Sequence, residues 1–384
     1  MKITILGPAH PYRGGIAALN ERLAKQLVDE GNEVNIVSFT VQYPKFLFPG
    51  KTQFSEQKTT FNFTITREIN SVNPLNWLKT GWKIKKSKPD ILIVRFWLPF
   101  MSMSLGSICR IVKLNRLSKI ISIADNIVPH EKRPGDNLLC RYFISSIDGF
   151  ITMSGSVLSD LTKFKYKKPK ILTPHPIYDH YGEIEPREKA LLNLNLSKED
   201  RYILFFGFIR DYKGLDLLLK AFSNPYFKPN RIKLIVAGEF YTEQATYLDL
   251  IKDLKLEDDV ILRTGYISNT EVKHYFNGAD IVAQPYKSAT QSGVTQIGYH
   301  FNKPMLVTNV GGLPEIIPHM QVGYVVAPEP DEISNALIDF FENNRLEDFT
   351  KNILTEKERF TWDKMTNSIY ELARNIRKKK ARQN

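Results

Sequence analysis

Short β-branched runs alternate with helix-period segments along most of this 384-residue chain, and no other feature restricts its fold as strongly. The runs at 3–8 and 33–39 have the length and composition of strands. Between them Leu19, Leu23 and Leu27 recur at helical spacing, as on one buried helix face. Alternation of this kind predicts βαβ units and therefore an α/β fold with parallel sheets.

The predicted strands fall into two groups, separated by a Pro- and charge-rich stretch near residue 180. The first group comprises 3–8, 33–39, 91–96, 119–125, 150–154 and 171–175. The second group comprises 202–208, 232–238, 260–266, 281–286 and 305–309. A chain of this length accommodates two domains. We therefore predict Rossmann-like domains over 1–180 and 181–360, followed by a helix with a basic tail over 361–384.

Positive charge is concentrated in the first predicted domain. The chain carries a formal net charge of +12, yet residues 1–182 hold 26 Lys and Arg against 13 Asp and Glu. A basic domain of this kind attracts nucleic acid, an anionic membrane or an anionic substrate, and a solvated basic face is the simple alternative. In the cluster at 79–89, Trp82 and the flanking Trp77, Leu78 and Ile84 favour a membrane interface. The sequence contains no signature of a nucleic-acid-binding module, so we predict no nucleic-acid partner.

Three further features bear on the compartment. No stretch approaches the roughly 18 apolar residues that span a bilayer, the first residues read as a strand instead of a signal peptide, and there are only two cysteines. We expect a cytoplasmic protein that binds peripherally to the inner face of the cytoplasmic membrane.

Ligands of open parallel sheets bind beyond the carboxyl ends of the strands, so the loops there are the candidate site. After the first strand, Gly14 and Gly15 open a helix, where free N–H groups can bind an anion. The G-x-G-x-x-G spacing of dinucleotide-binding proteins is absent. A plain tight turn is the alternative interpretation of these two glycines.

The loop after the strand at 202–208 carries two cations. Arg210 and Lys213 precede Gly214, which opens a helix with one apolar face. A fork of donors on the arginine and a mobile point charge on the lysine suit a diphosphate. Two surface cations without a ligand are the alternative.

The loop after the strand at 281–286 is rich in hydroxyl and amide groups ahead of another predicted helix. Its candidate donor-binding residues are Ser288, Thr290, Gln291, Ser292, Gly293 and Val294. A helix N-terminus lined in this way can bind phosphate or sugar oxygens. Capping of the helix by Ser292 alone is the structural alternative.

Taken together and in this order, three segments carry a specific resemblance. They are YRGGIA (12–17), FFGFIRDYKGLDLLLKAF (205–222) and SATQSGVTQIGYHFNKPMLVTNVGGLPEII (288–317). The chain resembles the retaining glycosyltransferases of family 4, and FTWDKMTNSIYELARN (360–375) is similar to their last helix. The resemblance implies the GT-B architecture, with two Rossmann-like domains facing each other across a cleft and the final helix packing back toward the first domain.

The resemblance also implies roles for single residues. Lys213 matches the lysine that contacts the donor diphosphate, whereas Phe208 stands where the family has its arginine partner, so Arg210 becomes the substitute. The family's two glutamates fall near Ser288 and Gln296, and an amide at 296 can still bind ribose hydroxyls.

On the acceptor side Asp125 stands where family members often carry a histidine. His130, five residues later, becomes an acceptor-side catalytic candidate, with a structural loop histidine left open as the alternative.

The implied reaction transfers a sugar from a nucleotide-diphosphate sugar to a glycan or lipid-linked acceptor, with retention of configuration, in cell-surface polysaccharide biosynthesis. The sequence contains no DxD triplet, so we expect the cations and helix N-termini to replace a metal, and we expect no cofactor. Two alternatives remain open. One is a sugar-nucleotide 2-epimerase of the same architecture, and the other is a non-catalytic glycan- or membrane-binding relative.

Overall fold

Each of two units in the chain is built around one parallel sheet. The computed structural model describes residues 1–44, 54, 60–128, 134–265, 267–289 and 292–381. The first unit comprises Met1–His175 together with the chain from Trp362 onward, and the second comprises Pro176–Thr361.

The first unit contains a seven-stranded sheet in the order β3-β2-β1-β4-β5-β6-β7, with every neighbouring pair parallel. Its strands are β1 (Lys2–Leu6), β2 (Glu33–Val41), β3 (Thr64–Asn70), β4 (Ile91–Phe96), β5 (Lys119–Ala124), β6 (Gly149–Thr152) and β7 (Lys170–Leu172). Its helices are α1 (Gly15–Asp29), α2 (Pro74–Ser87), α3 (Ser102–Lys113), α4 (Asp136–Ser146), α5 (Gly155–Lys163) and, from the end of the chain, α14 (Trp362–Ala381). The central strand β4 is buried along its whole length, as expected where helices cover both faces of a parallel sheet.

The second unit contains a six-stranded parallel sheet in the order β10-β9-β8-β11-β12-β13. Its strands are β8 (Arg201–Phe206), β9 (Ile232–Ala237), β10 (Val260–Arg263), β11 (Ile281–Gln284), β12 (Met305–Thr308) and β13 (Gly323–Val326). Its helices are α6 (Arg187–Asn193), α7 (Leu215–Phe222), α8 (Gln244–Asp253), α9 (Val272–Gly278), α10 (Gly293–His300), α11 (Leu313–Ile316), α12 (Pro330–Glu342) and α13 (Leu346–Glu356).

The predicted α/β fold with parallel sheets is confirmed, and all eleven predicted strands overlap observed ones. Two edge strands, β3 and β13, were not predicted. β3 has the sequence TITREIN and buries one residue fully, and β13 is only four residues long. A strand that mixes charged and polar side chains with apolar ones, as β3 does, lacks the continuous apolar run that marks a central strand.

The last helix, α14, completes the first unit. The Tyr370 hydroxyl donates to the Glu30 carboxylate at 2.6 Å, and the Thr366 hydroxyl donates to the same carboxylate at 2.7 Å. A Cβ placed on Gly149 would lie only 3.0 Å from the Cδ1 atom of Leu372, so these two residues are closely packed. Hydrogen bonds and apolar packing therefore both hold α14 against α1 and β6.

Within the described ranges, no helix combines the length and the hydropathy required to cross a bilayer.

Candidate functional site

The loops that follow β8 and β9 meet at the carboxyl edge of the second sheet. Gly207 and Gly238 both have positive φ, at 103° and 145°. The Gly207 N–H donates to the Ala237 carbonyl at 2.9 Å, and a Cβ on Gly238 would lie 2.2 Å from the Gly207 carbonyl oxygen. Only glycine fits at 238, because any side chain there would force the two loops apart.

Lys213 folds back over the end of β8. A short 3-10 turn at Asp211–Lys213 leads into Gly214, whose φ of 69° lies in the left-handed region. The Lys213 Nζ lies 3.0 Å from the position that a Cβ on Gly207 would occupy, and 5.4 Å from the centre of the Tyr286 ring. The ammonium group is thus held at the strand end, between the loops that follow β8 and β11.

Gly214 fixes that turn by close packing. A Cβ at this position would lie 1.9 Å from the carbonyl oxygen of Pro285 in the loop after β11. The same loop is held by the Lys287 N–H, which donates to the Tyr212 carbonyl at 2.7 Å. The glycine after the lysine therefore brings two loops from different strands into contact.

Arg210 lies beside an exposed aromatic pair. Its guanidinium carbon is 5.1 Å from the centre of the Tyr241 ring, and the Phe208 ring centre is 4.5 Å from that of Tyr241. Phe208 is 46% exposed. Phe208 and Arg210 thus both contact the Tyr241 ring. Two residues apart in an extended segment, they lie on the same side of the chain, as expected.

Neighbouring Lys287 differs from these two cations because its charge is neutralised. Its ammonium lies 2.8 Å from the Asp211 carboxylate and 3.0 Å from that of Asp216. Neither Arg210 nor Lys213 has a carboxylate partner within the described ranges. Two uncompensated positive charges therefore lie at the carboxyl edge of the second sheet, where an anionic ligand would meet them.

Helix α10 begins at Gly293, and Ser292 is its N-cap. The Ser292 Oγ accepts from the Val294 N–H at 3.2 Å and donates to the Gln284 side-chain oxygen. Its capping role is therefore observed, and its hydroxyl is already engaged within the protein. Gly293 is packed against Tyr178, since a Cβ there would be 2.7 Å from a ring carbon.

Two amide side chains near this helix are buried with unpaired polar atoms. Gln296 is fully buried, and neither atom of its amide has a hydrogen-bond partner in the described part of the chain. The Nε2 of Gln284 is likewise unpaired. Each unpaired buried group costs roughly 1–3 kcal/mol, so structural features of this kind call for an explanation beyond packing.

The rest of the predicted loop after β11 is only partly described. Ser288 is exposed. Thr290 and Gln291 lie outside the described residues, as does His130 on the acceptor side.

In the first unit, the predicted glycine pair lies at the start of α1. Gly14 is the N-cap, with φ of 115° and no side-chain cap, and both glycines are exposed. Nearly two turns into the helix, the Glu21 carboxylate accepts a hydrogen bond from the His10 N–H at 2.5 Å. Burial raises the pKa of Glu21 from 4.5 to about 7. A titratable carboxyl group thus supports the loop that follows β1.

Asp125, at the carboxyl end of β5, is held by a buried arginine. The Arg95 guanidinium donates from Nε and Nη2 to the two carboxylate oxygens of Asp125 at 2.6 and 2.5 Å. Arg95 is 1% exposed. Because both oxygens bind the guanidinium, Asp125 is a charge-paired residue and not a free base in this structure.

Sequence reasoning missed Arg95, Glu21, Gln284 and Tyr241. A signal existed for Arg95, which interrupts the otherwise apolar run ILIVRF of β4. A charge in a buried strand requires a partner, which this structure supplies from β5. No comparable signal marks Tyr241, because its role depends on a loop some thirty residues away.

The comparisons with known proteins bear on the reaction. The family model for glycosyl transferases of group 1 matches residues 187–380, half of the chain. The chain belongs to this family. Among curated glycosyltransferases it is 24% identical to an uncharacterized one of Methanocaldococcus jannaschii, over 97% of this chain and 98% of the relative.

Two further relatives of this group 1 glycosyltransferase have assigned activities. It is 22% identical to the N-acetyl-alpha-D-glucosaminyl L-malate synthase of Bacillus anthracis, over 85% of this chain and 84% of the relative. It is 21% identical to the O-antigen chain mannosyltransferase C of Escherichia coli, over 92% of this chain and 90% of the relative.

Solved structures agree on the fold. Sucrose-phosphate synthase from Thermosynechococcus elongatus superimposes with a TM-score of 0.75 at 15% identity, over 98% of this chain and 99% of that one. The structure of Anabaena HepE in complex with UDP superimposes with a TM-score of 0.72 at 16% identity, over 97% of this chain and 99% of that one. The group 1 glycosyltransferase described here therefore has the two-domain α/β fold of the GT-B type.

Proposed function

We propose that this glycosyltransferase transfers a sugar from a nucleotide-diphosphate sugar to a glycan or lipid-linked acceptor, with retention of configuration. The proposed setting is cell-surface polysaccharide biosynthesis at the cytoplasmic face of the membrane. One observation carries the donor assignment: Lys213 and Arg210, at the carboxyl edge of the second sheet, have no carboxylate partner among the residues that the structure describes, while adjacent Lys287 is neutralised by two carboxylates.

The charge of the donor fits this arrangement. A nucleoside diphosphate gains negative charge as its bond to the sugar breaks, and preorganised cations stabilise that developing charge. Lys213 is held at the end of β8 by its packing over Gly207 and beside Tyr286, so its ammonium needs little reorganisation. The N-terminus of α10 adds the positive end of a helix dipole to the same carboxyl edge. We propose that these groups suffice without a metal ion or cofactor.

The loop after β11 and helix α10 would contact the rest of the donor. Gln296 and Gln284 retain unpaired amide atoms, and hydroxyl groups of a sugar or ribose are suitable partners for them. Ser288, Thr290 and Gln291 remain proposed sugar contacts. The complex of Anabaena HepE with UDP supports a uridine nucleotide among the donors to be tested.

On the acceptor side we propose the loop that follows β5, with His130, whereas Gly14 and Gly15 in the loop after β1 remain proposed contacts of the donor anion. The O-antigen mannosyltransferase among the relatives supports a surface-glycan acceptor, and the net charge of +13 on residues 1–182 supports an anionic membrane as the place where it is met.

Binding of nucleoside diphosphates to the Lys213→Ala variant tests the proposal. A charge-assisted hydrogen bond contributes about 1.5–3 kcal/mol, so we expect Kd for UDP, GDP or ADP, whichever binds the wild type, to rise roughly 10- to 150-fold. Isothermal titration calorimetry measures that change, and transfer or slow donor hydrolysis should be lost with it.

Lys220→Ala is the matched control, because Lys220 is exposed on α7 within two turns of Lys213 and forms no ion pair in the described ranges. The control should bind as the wild type does. Unchanged affinity and turnover in Lys213→Ala would remove this lysine from the mechanism and with it the main support for the donor site.

A further inference from the structure

Helix α2 packs into the first unit through one side and leaves three large apolar residues exposed on the other. Its buried residues are Thr80, Gly81 and Ile84. A Cβ on Gly81 would lie 2.9 Å from the side chain of Ile111, so α2 and α3 are in close contact there. An ordinary surface helix keeps its large apolar residues on the side that faces the core, so the three exposed ones on α2 require an explanation.

The outward side carries three large apolar side chains. Leu75, Leu78 and Trp82 are 76%, 49% and 47% exposed. Their spacings of three and four residues place them within one narrow stripe of the helix. We call this stripe, residues 75, 78 and 82, the apolar stripe of α2.

Lysines flank the apolar stripe on both sides. At 100° per residue, Lys79 and Lys83 fall on one side of it, Lys85 falls on the other, and Lys86 lies next to Trp82. The Lys85 ammonium lies 3.8 Å from the centre of the Trp82 ring. Helix α2 contains no Asp or Glu. An outward face of leucine and tryptophan bordered by lysine has the composition of a helix that lies in a membrane interface.

We propose that the apolar stripe of α2, with its flanking lysines, is the surface by which the first unit docks on an anionic membrane. This inference rests on the proposed function and deepens it, because it assigns the contact to one helix face. Leu75 and Trp82 enter the headgroup region, while the long lysine side chains reach anionic headgroups beside them. The stripe begins in the first turn of α2, just after β3 ends, at the carboxyl edge of the first sheet, where the proposed acceptor loop also lies.

Charge argues for a membrane and against a protein partner. Lysine is depleted in protein–protein interfaces, yet here it lines both sides of the stripe. In a symmetric dimer through α2, the same lysines would face their own copies across the interface. Lys83 is already paired with the Glu68 carboxylate, and a diffuse negative surface satisfies Lys79, Lys85 and Lys86 at once.

The structure also corrects the sequence-based version of this idea. Four residues were expected to face the membrane, but Ile84 is buried, and the Trp77 indole N–H donates to the Asn70 carbonyl at 2.7 Å. Trp77 packs against the core of the unit. Leu78 and Trp82 stay in the stripe, and Leu75, outside the original cluster, joins them.

A fluorophore at position 78 of the full chain tests the assignment. Cys109 and Cys140 are buried, and burial raises the pKa of both thiols to about 12, so a maleimide dye will label Leu78→Cys selectively. On vesicles of phosphatidylglycerol and phosphatidylcholine, we expect the emission of an environment-sensitive dye to shift to the blue. Neutral phosphatidylcholine vesicles should produce little shift. Leu192→Cys, at a leucine 75% exposed in the second unit, is the matched control and should stay in water.

Vesicle co-sedimentation of Lys79→Gln/Lys86→Gln measures the electrostatic part. Each lysine near an anionic surface contributes roughly fivefold to partitioning, so the double variant should lose about 25-fold. Lys252→Gln/Lys351→Gln, exposed lysines of the second unit, removes the same charge and should lose much less.

Three results would overturn the inference. They are no partitioning to anionic vesicles, a dye at 78 that stays in water while the protein binds vesicles, and a concentration-dependent dimer that Leu78→Glu abolishes. Calorimetric binding of a nucleoside diphosphate is recorded for every variant. If the wild type binds a nucleoside diphosphate but does not bind anionic vesicles, only the membrane surface is rejected. If the wild type binds no nucleoside diphosphate, the proposed donor is rejected.

Discussion

The buried pair of Arg95 and Asp125 yields a sharp prediction. Asp125→Asn keeps the shape of the side chain but removes its charge, and it leaves Arg95 buried without a counter-ion. Both contacts are short, at 2.5 and 2.6 Å, and the arginine is almost wholly removed from solvent. Desolvation of the guanidinium is then no longer offset by its partner.

The expected cost is large. Removal of one partner from a buried ion pair destabilises by about 3–5 kcal/mol, whereas replacement of both by apolar residues is often close to neutral. We therefore expect Asp125→Asn to lose about 3–5 kcal/mol in the free energy of unfolding of the first unit. Arg95→Met/Asp125→Leu should recover most of that loss.

Tryptophan fluorescence is a selective assay for this unit. All four tryptophans of the chain, at 77, 82, 97 and 362, belong to the first unit. Urea unfolding followed at 295 nm excitation therefore reports on that unit, even though a chain of two units need not unfold in one step. Equal m-values across the variants would show that the same surface is being exposed.

Two outcomes would refute the reasoning. One is a free energy of unfolding for Asp125→Asn within about 1 kcal/mol of the wild-type value, and the other is a double variant that is no more stable than Asp125→Asn. The double variant also separates structure from chemistry. If it is stable and still transfers sugar, Asp125 acts through packing alone. If it is stable and inactive, at least one of the two side chains also acts in sugar transfer.

Two further predictions follow from the loops. Glu21 has a folded-state pKa near 7 against 4.5, so the native state binds the extra proton and stability falls as pH rises from about 4.5 to 7. Glu21→Gln should reduce the slope of the free energy of unfolding against pH by up to about 1.4 kcal/mol per pH unit. Urea titrations across this pH range measure that slope, and a slope equal to that of the wild type would contradict the prediction. Gly238→Ala should reduce nucleotide binding in calorimetry, because its Cβ would lie 2.2 Å from the Gly207 oxygen. Gly31→Ala, also at positive φ but with no neighbour within 4 Å, should leave binding intact, and equal losses in both variants would contradict the contact argument.

The interior of both sheets could be read from the sequence because covered parallel strands are continuous apolar runs. β4 and β8 illustrate this, since helices bury both of their faces. β3 could not, because its sequence TITREIN mixes charged and polar residues with apolar ones. Its position depends on the neighbouring strand and not on its own residues.

At the candidate site, Lys213 and Gly214 were identifiable because a strand-to-helix turn imposes local requirements. The partners of Arg210 and Asp125 were not, since Tyr241 and Arg95 come from other strands and about thirty residues away. The burial of the Gln296 side chain could not be predicted from the sequence either. Its position on α10 was predictable, but the side of the helix that faces the core depends on packing against the rest of the unit.

The return of α14 to the first unit has a consequence for how the protein is made. The second unit is one continuous stretch, Pro176–Thr361, and all of it leaves the ribosome before α14 does. The first unit, although synthesised first, must wait for Thr366, Tyr370 and Leu372 to cover Glu30 and Gly149. Folding therefore finishes in the reverse of the order of synthesis, and a nascent chain halted before residue 362 exposes an uncovered face of its first sheet.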